Sequence, residues 1–337
     1  MRVYFCSKMI PMKFWIPLGV VLAVLSCQPA TTPDTPTNLP DFAQQATALP
    51  IDYAYPDHDT LTVLSWNVEH FVDAWDNPYI NHPREDSSLR MEGREEELLV
   101  ALRQAKADVV VLQEFESKSF AMRLAEKVPE LGYRWFAGNE SPNWYMNVVV
   151  MSRLPLGNIR GYGNVTTPLI NWEDEEGNPE TQNHLNTRMI TVEILARPGK
   201  TVYLTGVHLK AGRGPRNEAM RLGQVEYLKS QMARIQESDP DGLQLLVGDF
   251  NCTPSSMEFK ALLEPDNSYT LIDPWAADST VYSHPADEPR WRIDHMLANP
   301  AMTERMVAPT EYRYFFDTVR QRALADHLPA IGAYLLN

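Results

Sequence analysis

Apolar residues along this chain cluster in short runs rich in Val, Leu and Ile, broken by polar stretches. Runs this short predict buried strands at residues 61–66, 108–113, 146–152, 189–195, 201–208, 243–247, 291–297 and 330–335. Between them the spacing becomes helical. Leu98, Leu99 and Leu102 predict a helix over 89–105, with Glu95, Glu96 and Glu97 toward water. Met220, Val225, Leu228, Met232 and Ile235 predict a long amphipathic helix over 217–235. A shorter helix over 120–127 stops before Pro129, and Ser255-Ser256-Met257-Glu258 reads as a cap opening another over 259–263. No internal repeat is visible. Strands interleaved with helices predict an α+β architecture, a sheet sandwich flanked by helices.

Polar signatures sit where the strand-like runs end: Ser65-Trp66-Asn67, Gln113-Glu114, Val207-His208, Gly248-Asp249-Phe250-Asn251, Arg292-Ile293-Asp294-His295 and Ala325-Asp326-His327. Singly, each has a structural reading as an Asx turn, a surface pair or a helix cap. Jointly they describe one site assembled from distant segments on a rigid sheet. Glu114 and Asp326 are hard oxygen donors suited to Mg²⁺ or Mn²⁺, and Asn67 can add an amide oxygen. The lack of a Cys/His cluster argues against structural zinc. Asp294 can fix the tautomer of His327 and stabilise its charged form. Asp249 and Asn251 can point at the same water or phosphoryl oxygen. The constellation describes metal-assisted hydrolysis of a phosphate ester.

The 337-residue length is ample for one large core once the N-terminus is set aside. Residues 1–26 read as an export signal, with Lys8 and Lys13 near an apolar run over 14–25 that is too short to span a bilayer comfortably. Val24-Leu25-Ser26-Cys27 resembles a bacterial lipobox, making Cys27 the lipidated first residue of the mature chain, and Met12 is an alternative start. Residues 27–52 read as a flexible Thr/Pro-rich tether, and 53–337 as the folded domain. Only Cys252 remains in that domain, so an internal disulfide is impossible, and it is expected to be an inert packed thiol. Net charge is −14, and losing Arg2, Lys8 and Lys13 makes it −17, which argues against a broad nucleic-acid footprint. The main basic segment is Lys210, Arg213, Arg216 and Arg221, a candidate anion-binding rim. Two long loops, 72–93 and 161–187, are expected to shape substrate choice.

In that order, the six signatures resemble the endonuclease/exonuclease/phosphatase superfamily of DNase I-like fold, over residues 60–337. The resemblance implies a four-layered α/β sandwich with two packed mixed β-sheets flanked by helices, and Mg²⁺-dependent phosphoester cleavage (Mn²⁺ as a substitute) by in-line attack of water. It implies Asn67, Glu114 and Asp326 as the metal environment. His208 would contact the scissile phosphate, Asp249 the attacking water, and Asn251 a phosphoryl oxygen. Asp294 would pair with His327, which is either general base or charged stabiliser. Arg188 would contact phosphate and Asn147 line the site. His295 departs from the tyrosine common in relatives. The remaining histidines match no motif, though His70 lies close enough to the first to line the cleft. The expected function is an exported, membrane-anchored monomeric nuclease acting on extracellular nucleic acid. The alternatives are a phosphodiesterase on lipid headgroups or small phosphoesters, for which Trp75, Tyr79 and Ile80 offer an apolar loop, and a catalytically silent binding module.

Overall fold

The computed structural model describes residues 49–50, 52–73, 88–140, 146–265 and 268–337. The signal, the Cys27 lipid site, nearly all of the tether, and the loop residues Trp75, Tyr79 and Ile80 lie outside the described residues. Two large mixed sheets form the centre. The first has six strands: β1 (Thr60–Phe71), β2 (Val109–Phe115), β3 (Trp135–Gly138), β4 (Asn147–Ser152), β12 (Met306–Tyr312) and β13 (Ala330–Leu335), in the order β12-β13-β1-β2-β4-β3. The second has five: β5 (Leu156–Gly161), β8 (Met189–Arg197), β9 (Lys200–His208), β10 (Leu243–Asp249) and β11 (Asp294–Ala298), in the order β11-β10-β9-β8-β5. β1–β2 and β9–β10 are the parallel pairs, each at the middle of its sheet.

The core between the sheets is built from one face of each strand: Leu61 and Val63 of β1, Val109 and Val111 of β2, Val202 and Leu204 of β9, and Leu243, Leu245 and Val247 of β10. The opposite face of the first sheet (Leu64, Trp66, Val110, Leu112) is covered by α1 (Ser88–Ala105) and α2 (Lys118–Glu126). That of the second (Val207, Leu246, Leu297) is covered by α3 (Pro215–Ser238) and α4 (Met257–Leu263). The result is the helix-flanked sheet sandwich that the sequence pattern predicts, in the four-layered α/β/β/α form that the resemblance implies. Helix ends follow capping chemistry: Ser117 Oγ accepts from Phe120 N–H before α2, and Ser256 Oγ from Phe259 N–H before α4.

Two differences from the sequence reading have physical causes. The 161–187 segment is not all loop. It holds a two-stranded ribbon, β6 (Thr167–Glu173) and β7 (Pro179–Gln182), whose alternation is too polar to signal strands. Gly223 of α3 lies so close to β6 that an added Cβ would meet the Pro168 carbonyl oxygen at 1.8 Å, which seats the ribbon on the helix. Strands β3, β5 and β12 were not expected either; all three lie at sheet edges, where weak apolar alternation suffices.

Candidate active site

Strand alternation has period two, so the inter-sheet face can be followed along each strand to its end. On β1 it runs Leu61, Val63, Ser65, Asn67; on β9, Val202, Leu204, Gly206, His208; on β10, Leu243, Leu245, Val247, Asp249. On β11 Asp294 precedes the inner Met296 and Ala298, and on β8 Arg188 precedes Ile190 and Val192. The site is the polar end of the core between the sheets.

Glu114 breaks this rule in an informative way. Leu112 and Phe115, three apart, both face the helical layer, so β2 gains a residue between them, and its register with β4 shifts there. Val68 and Phe71 of β1 show the same spacing, and the β1–β2 register shifts between Asn67 and Phe71. The inserted residues take left-handed backbone: Glu69 φ 48°, His70 φ 47° and Glu114 φ 54°. Such conformations cost about 1–3 kcal/mol each and concentrate at functional sites. Here they turn the Glu114 carboxylate inward, where Oε1 accepts from Asn67 Nδ2 at 3.2 Å and Oε2 from His70 N–H at 3.0 Å. Arg94 of α1, buried on the helix face that carries Met91 and Leu98, donates to the carbonyls of Val68 at 2.7 Å and Glu69 at 2.6 Å, and so holds the bulge.

Around this turn the side chains interlock. Asp249 Oδ2 accepts from Asn67 Nδ2 at 2.9 Å and from Asn251 Nδ2 at 3.1 Å, while Oδ1 accepts from Asn251 N–H at 2.8 Å. His327 Nδ1 lies 2.7 Å from Asp294 Oδ2, and its Nε2 lies 3.9 Å from Asp249 and 3.7 Å from Asp326. His208 Nε2 stands 3.7 Å from Glu114 and 3.6 Å from Asp249. Both His208 ring nitrogens are buried with no hydrogen-bond partner among the described residues, which marks them for an incoming polar group.

The charges follow from these distances. Burial alone would keep His327 neutral, but Asp294, then Asp249 and Asp326, outweigh it and hold the imidazolium well above the ordinary histidine range. Burial pushes the Asp249 carboxyl up, offset in part by His327. His208 goes the other way: burial, then the Arg188 charge, holds it neutral. For Asp326, burial favours the neutral acid, but His284 and His327 prevail and keep it below the usual carboxylate range. Glu69 is pushed up by burial and by Asp326, although Arg322 reaches it at 3.0 Å.

Not every expected residue lands where the sequence suggested. Asn67 is placed to connect Glu114 with Asp249, because its oxygen accepts from Glu69 N–H at 3.0 Å and its amide nitrogen serves both carboxylates. Asn147 falls on the opposite face from the inner Val148 and Val150, and donates to the Glu116 carbonyl at 2.6 Å, bracing the exit of β2 rather than lining the centre. The basic rim is largely neutralised internally. Arg221 is buried and donates to Glu258 at 2.7 Å, Arg216 pairs with Glu180, and burial lowers the Lys210 pKa. Arg213 stays exposed, its guanidinium 5.0 Å above the Trp291 ring. His284, which no motif flagged, lies 3.7 Å from Asp326 with its ring 4.7 Å from that of His327. Its only sequence signal was nearness to the Arg292-Ile293-Asp294 signature. Cys252 is buried and its thiol is pushed up to about 12 by burial, as befits an inert thiol.

Glu114 and Asp326 present hard carboxylate oxygens at the more open edge of the cluster, with side chains 13% and 24% exposed, a donor chemistry that fits a divalent cation of the Mg²⁺ or Mn²⁺ type. Among the described residues, the trios whose ligand atoms lie within 4.8 Å of one another are His284–Asp326–His327 and Asp249–Asp294–His327. The first includes imidazole nitrogens, which suit transition metals better than Mg²⁺.

His295 packs in the apolar layer beneath α4, on the opposite face of β11 from Asp294. Its ring is buried against Phe250 (5.1 Å) and Phe259 (4.3 Å), with Nε2 3.0 Å from the Cys252 carbonyl. Burial, reinforced by Arg292, lowers its pKa to about 4. An unfolded imidazole titrates near 6.5. The unfolded chain therefore takes up this proton first, so the contribution is complete above about pH 6.5 and is lost as pH falls toward 4. The loss is on the order of 3 kcal/mol. Chemical denaturation from pH 7 to 4 should show a shallower decline for His295→Tyr than for the wild type; parallel curves would rule this histidine out as the cause.

A four-layered sandwich with a carboxylate–histidine cluster at the polar end of its core defines a phosphoesterase of the DNase I-like class. Residues 64–311 match the Endonuclease/Exonuclease/phosphatase family, and the chain belongs to that family, whose members are divalent-metal-dependent hydrolases acting on phosphoester bonds. Solved structures with the same fold include TDP2 from C. elegans (14% identity, TM-score 0.54, covering 82% of this chain and 75% of that one). The human nocturnin catalytic domain with bound sulfate is similar (18% identity, TM-score 0.54, 82% and 94%), as is an endonuclease/exonuclease/phosphatase from Beutenbergia cavernae (22% identity, TM-score 0.52, 83% and 72%). At these identities the likeness establishes the fold. No curated protein matches the chain significantly.

Proposed function

We propose that the protein is an exported, lipid-anchored nuclease that hydrolyses phosphodiester bonds with Mg²⁺. The observation that carries the catalytic reading is the His327–Asp294 pair at 2.7 Å, set against Asp249, Asn67, Glu114 and His208 in one cluster. In this reading Asp249, its carboxyl pushed up by burial, receives the proton of the attacking water. His327, held as imidazolium, donates a charge-assisted hydrogen bond to a phosphoryl oxygen. Neutral His208 and the Asn251 amide contact the remaining oxygens, and the Arg188 charge helps to keep His208 neutral. Glu114 and Asp326 would hold the cation, which when bound neutralises charge developing on the phosphate.

Export and anchoring rest on the pattern of residues 1–27 and on the tether composition that follows. A chain outside the cytoplasm meets scavenged nucleic acid rather than genomic repair substrates. Because Arg216 and Arg221 are tied up in ion pairs, a short or flexible strand suits the surface better than a long duplex. The test is cleavage of supercoiled plasmid and of a single-stranded oligonucleotide by the purified protein with Mg²⁺. Cleavage should vanish in excess EDTA and fall at least about 100-fold in Glu114→Ala. Intact nucleic acid after incubation with folded, Mg²⁺-supplied protein would overturn the nuclease reading and direct assays to lipid headgroups and small phosphoesters.

A further inference from the structure

His284 has no part in the hydrolytic reading, yet it completes a cluster with two residues that do. Asp326 stands between two imidazoles: its Oδ2 lies 3.7 Å from His284 Nε2 and its Oδ1 3.7 Å from His327 Nε2. Both separations are too long for hydrogen bonds and close to the ~3.4 Å between neighbouring ligand atoms of one tetrahedral ion. Main-chain bonds tie together the segments that carry the three groups. Ala286 N–H donates to the Asp326 carbonyl at 2.7 Å, and Leu328 N–H to the Ser283 carbonyl at 2.8 Å. His284 is also held from its other side, its N–H and carbonyl each bonded to the Trp291 backbone at 3.0 Å. His327 Nδ1 lies 2.7 Å from Asp294, and a carboxylate behind an imidazole is the arrangement that orients a metal-ligating histidine. His284 Nδ1 is buried with no hydrogen-bond partner among the described residues, so structure does not claim that ring through its polar atoms.

Two imidazole nitrogens and one carboxylate suit an ion such as Zn²⁺ rather than Mg²⁺, which prefers oxygen. The other trio, Asp249–Asp294–His327, is poorly placed to take one. Asp249 already accepts hydrogen bonds from Asn67 and Asn251, Asp294 Oδ2 is committed to His327 Nδ1, and all three residues are buried. The side chains of His284 and Asp326, by contrast, are 26% and 24% exposed, and His284 lines a cavity of about 790 Å³ that gives an ion a way in. The local field favours a cation: Asp249 and Asp294 stand beside His327, while Arg322 balances only Glu69, which it meets at 3.0 Å. We propose that His284, Asp326 and His327 bind a transition-metal ion of the Zn²⁺ type, and that this ion inhibits the hydrolase. An ion on His327 Nε2 takes the place of a proton, which passes to solvent, so no N–H remains there to donate to a phosphoryl oxygen. It also draws Asp326 away from the cation position shared with Glu114. The inference rests on the phosphodiesterase reading, because the residues it engages are the ones that reading employs.

Calorimetric titration of Zn²⁺ into the protein in excess Mg²⁺ reads the site without turnover. Wild type should bind Zn²⁺ saturably. His284→Phe, which keeps a ring against Trp291 but has no nitrogen, should bind it at least about tenfold more weakly, and His284→Ala should match it. Hydrolysis of bis(p-nitrophenyl) phosphate in Mg²⁺ is then followed as Zn²⁺ is added, each protein measured against its own rate without Zn²⁺. Half-inhibition of either variant should need at least about tenfold more Zn²⁺ than the wild type. Equal affinity or equal inhibition in all three proteins, or faster hydrolysis with Zn²⁺, would overturn the inference and leave the phosphodiesterase reading standing. If the wild type hydrolyses no phosphodiester in Mg²⁺, that reading and the inhibitory role fail together, and calorimetry decides the metal site by itself. Tighter binding by the wild type than by both variants keeps the site; equal binding, or none, removes it.

Discussion

His327→Gln should lower kcat on a phosphodiester by about 1,000-fold while leaving KM within a few-fold of wild type. The imidazolium is a cation at the centre of the cluster, flanked by Asp294 at 2.7 Å, Asp326 at 3.7 Å and Asp249 at 3.9 Å. Its charge opposes that of three carboxylates at rest and is aimed, through Nε2, at the space where phosphoryl charge must grow. Glutamine keeps a donor of similar length but carries no charge, so the loss falls on the transition state more than on binding. The segment itself should hold its place without the ring. The His327 carbonyl accepts from Trp66 Nε1 at 2.9 Å, the Asp326 carbonyl from Ala286 N–H at 2.7 Å, and Leu328 N–H donates to Ser283 at 2.8 Å. Steady-state kinetics beside a thermal melt would check this. A folded variant with kcat within tenfold of wild type would show that His327 does not act on the phosphate.

Gly248→Ala should be strongly damaging to both stability and activity. Gly248 has φ 140°, and an added Cβ would stand 1.9 Å from the carbonyl oxygen of Val207, its partner on the parallel strand β9. Neither atom can yield without parting the two strands that carry His208 and Asp249. Overpacking and backbone strain together cost roughly 4 kcal/mol, and a small displacement of Asp249 lowers kcat by about 100-fold more. Gly93→Ala is the matching control: it lies within α1 with nothing within 4 Å of the added carbon, and should gain about 1 kcal/mol. Melting curves of both variants settle the point, and a Gly248→Ala midpoint within two degrees of wild type, as an approximate bound, would be incompatible with the clash.

The glycine explains why a Gly-Asp-Phe-Asn signature is legible at all. Its first residue is set by a neighbouring backbone, its second by the inner face of β10, its third by the apolar layer beneath α4, and its fourth by a left-handed turn (φ 50°) that folds the amide back on Asp249. Each position answers to local geometry, so the motif survives in one dimension. The same holds for His208 and Asp294, which take the inner-face parity of strands whose apolar residues announce them.

Other parts of the site had no such signature. Glu114 was found by its place at a strand end, but its alternation points it the wrong way. Only the paired bulges of β1 and β2, stabilised by Arg94 from the helix that connects the two strands, turn it inward. The charge states of His327 and Asp249 depend on three carboxylates brought together from β10, β11 and the turn before β13. The fate of the Lys210–Arg221 cations depended on Glu180 and Glu258, partners that only folding brings within reach. The α+β class, the sheet sandwich and the strand ends at which the polar signatures sit follow from periodicity, which is a property of the chain, whereas the four-layered arrangement was implied by the resemblance of the ordered signatures. Ion pairing and bulge direction follow from contacts between segments that only folding brings together, whose energies depend on separations that no local pattern encodes.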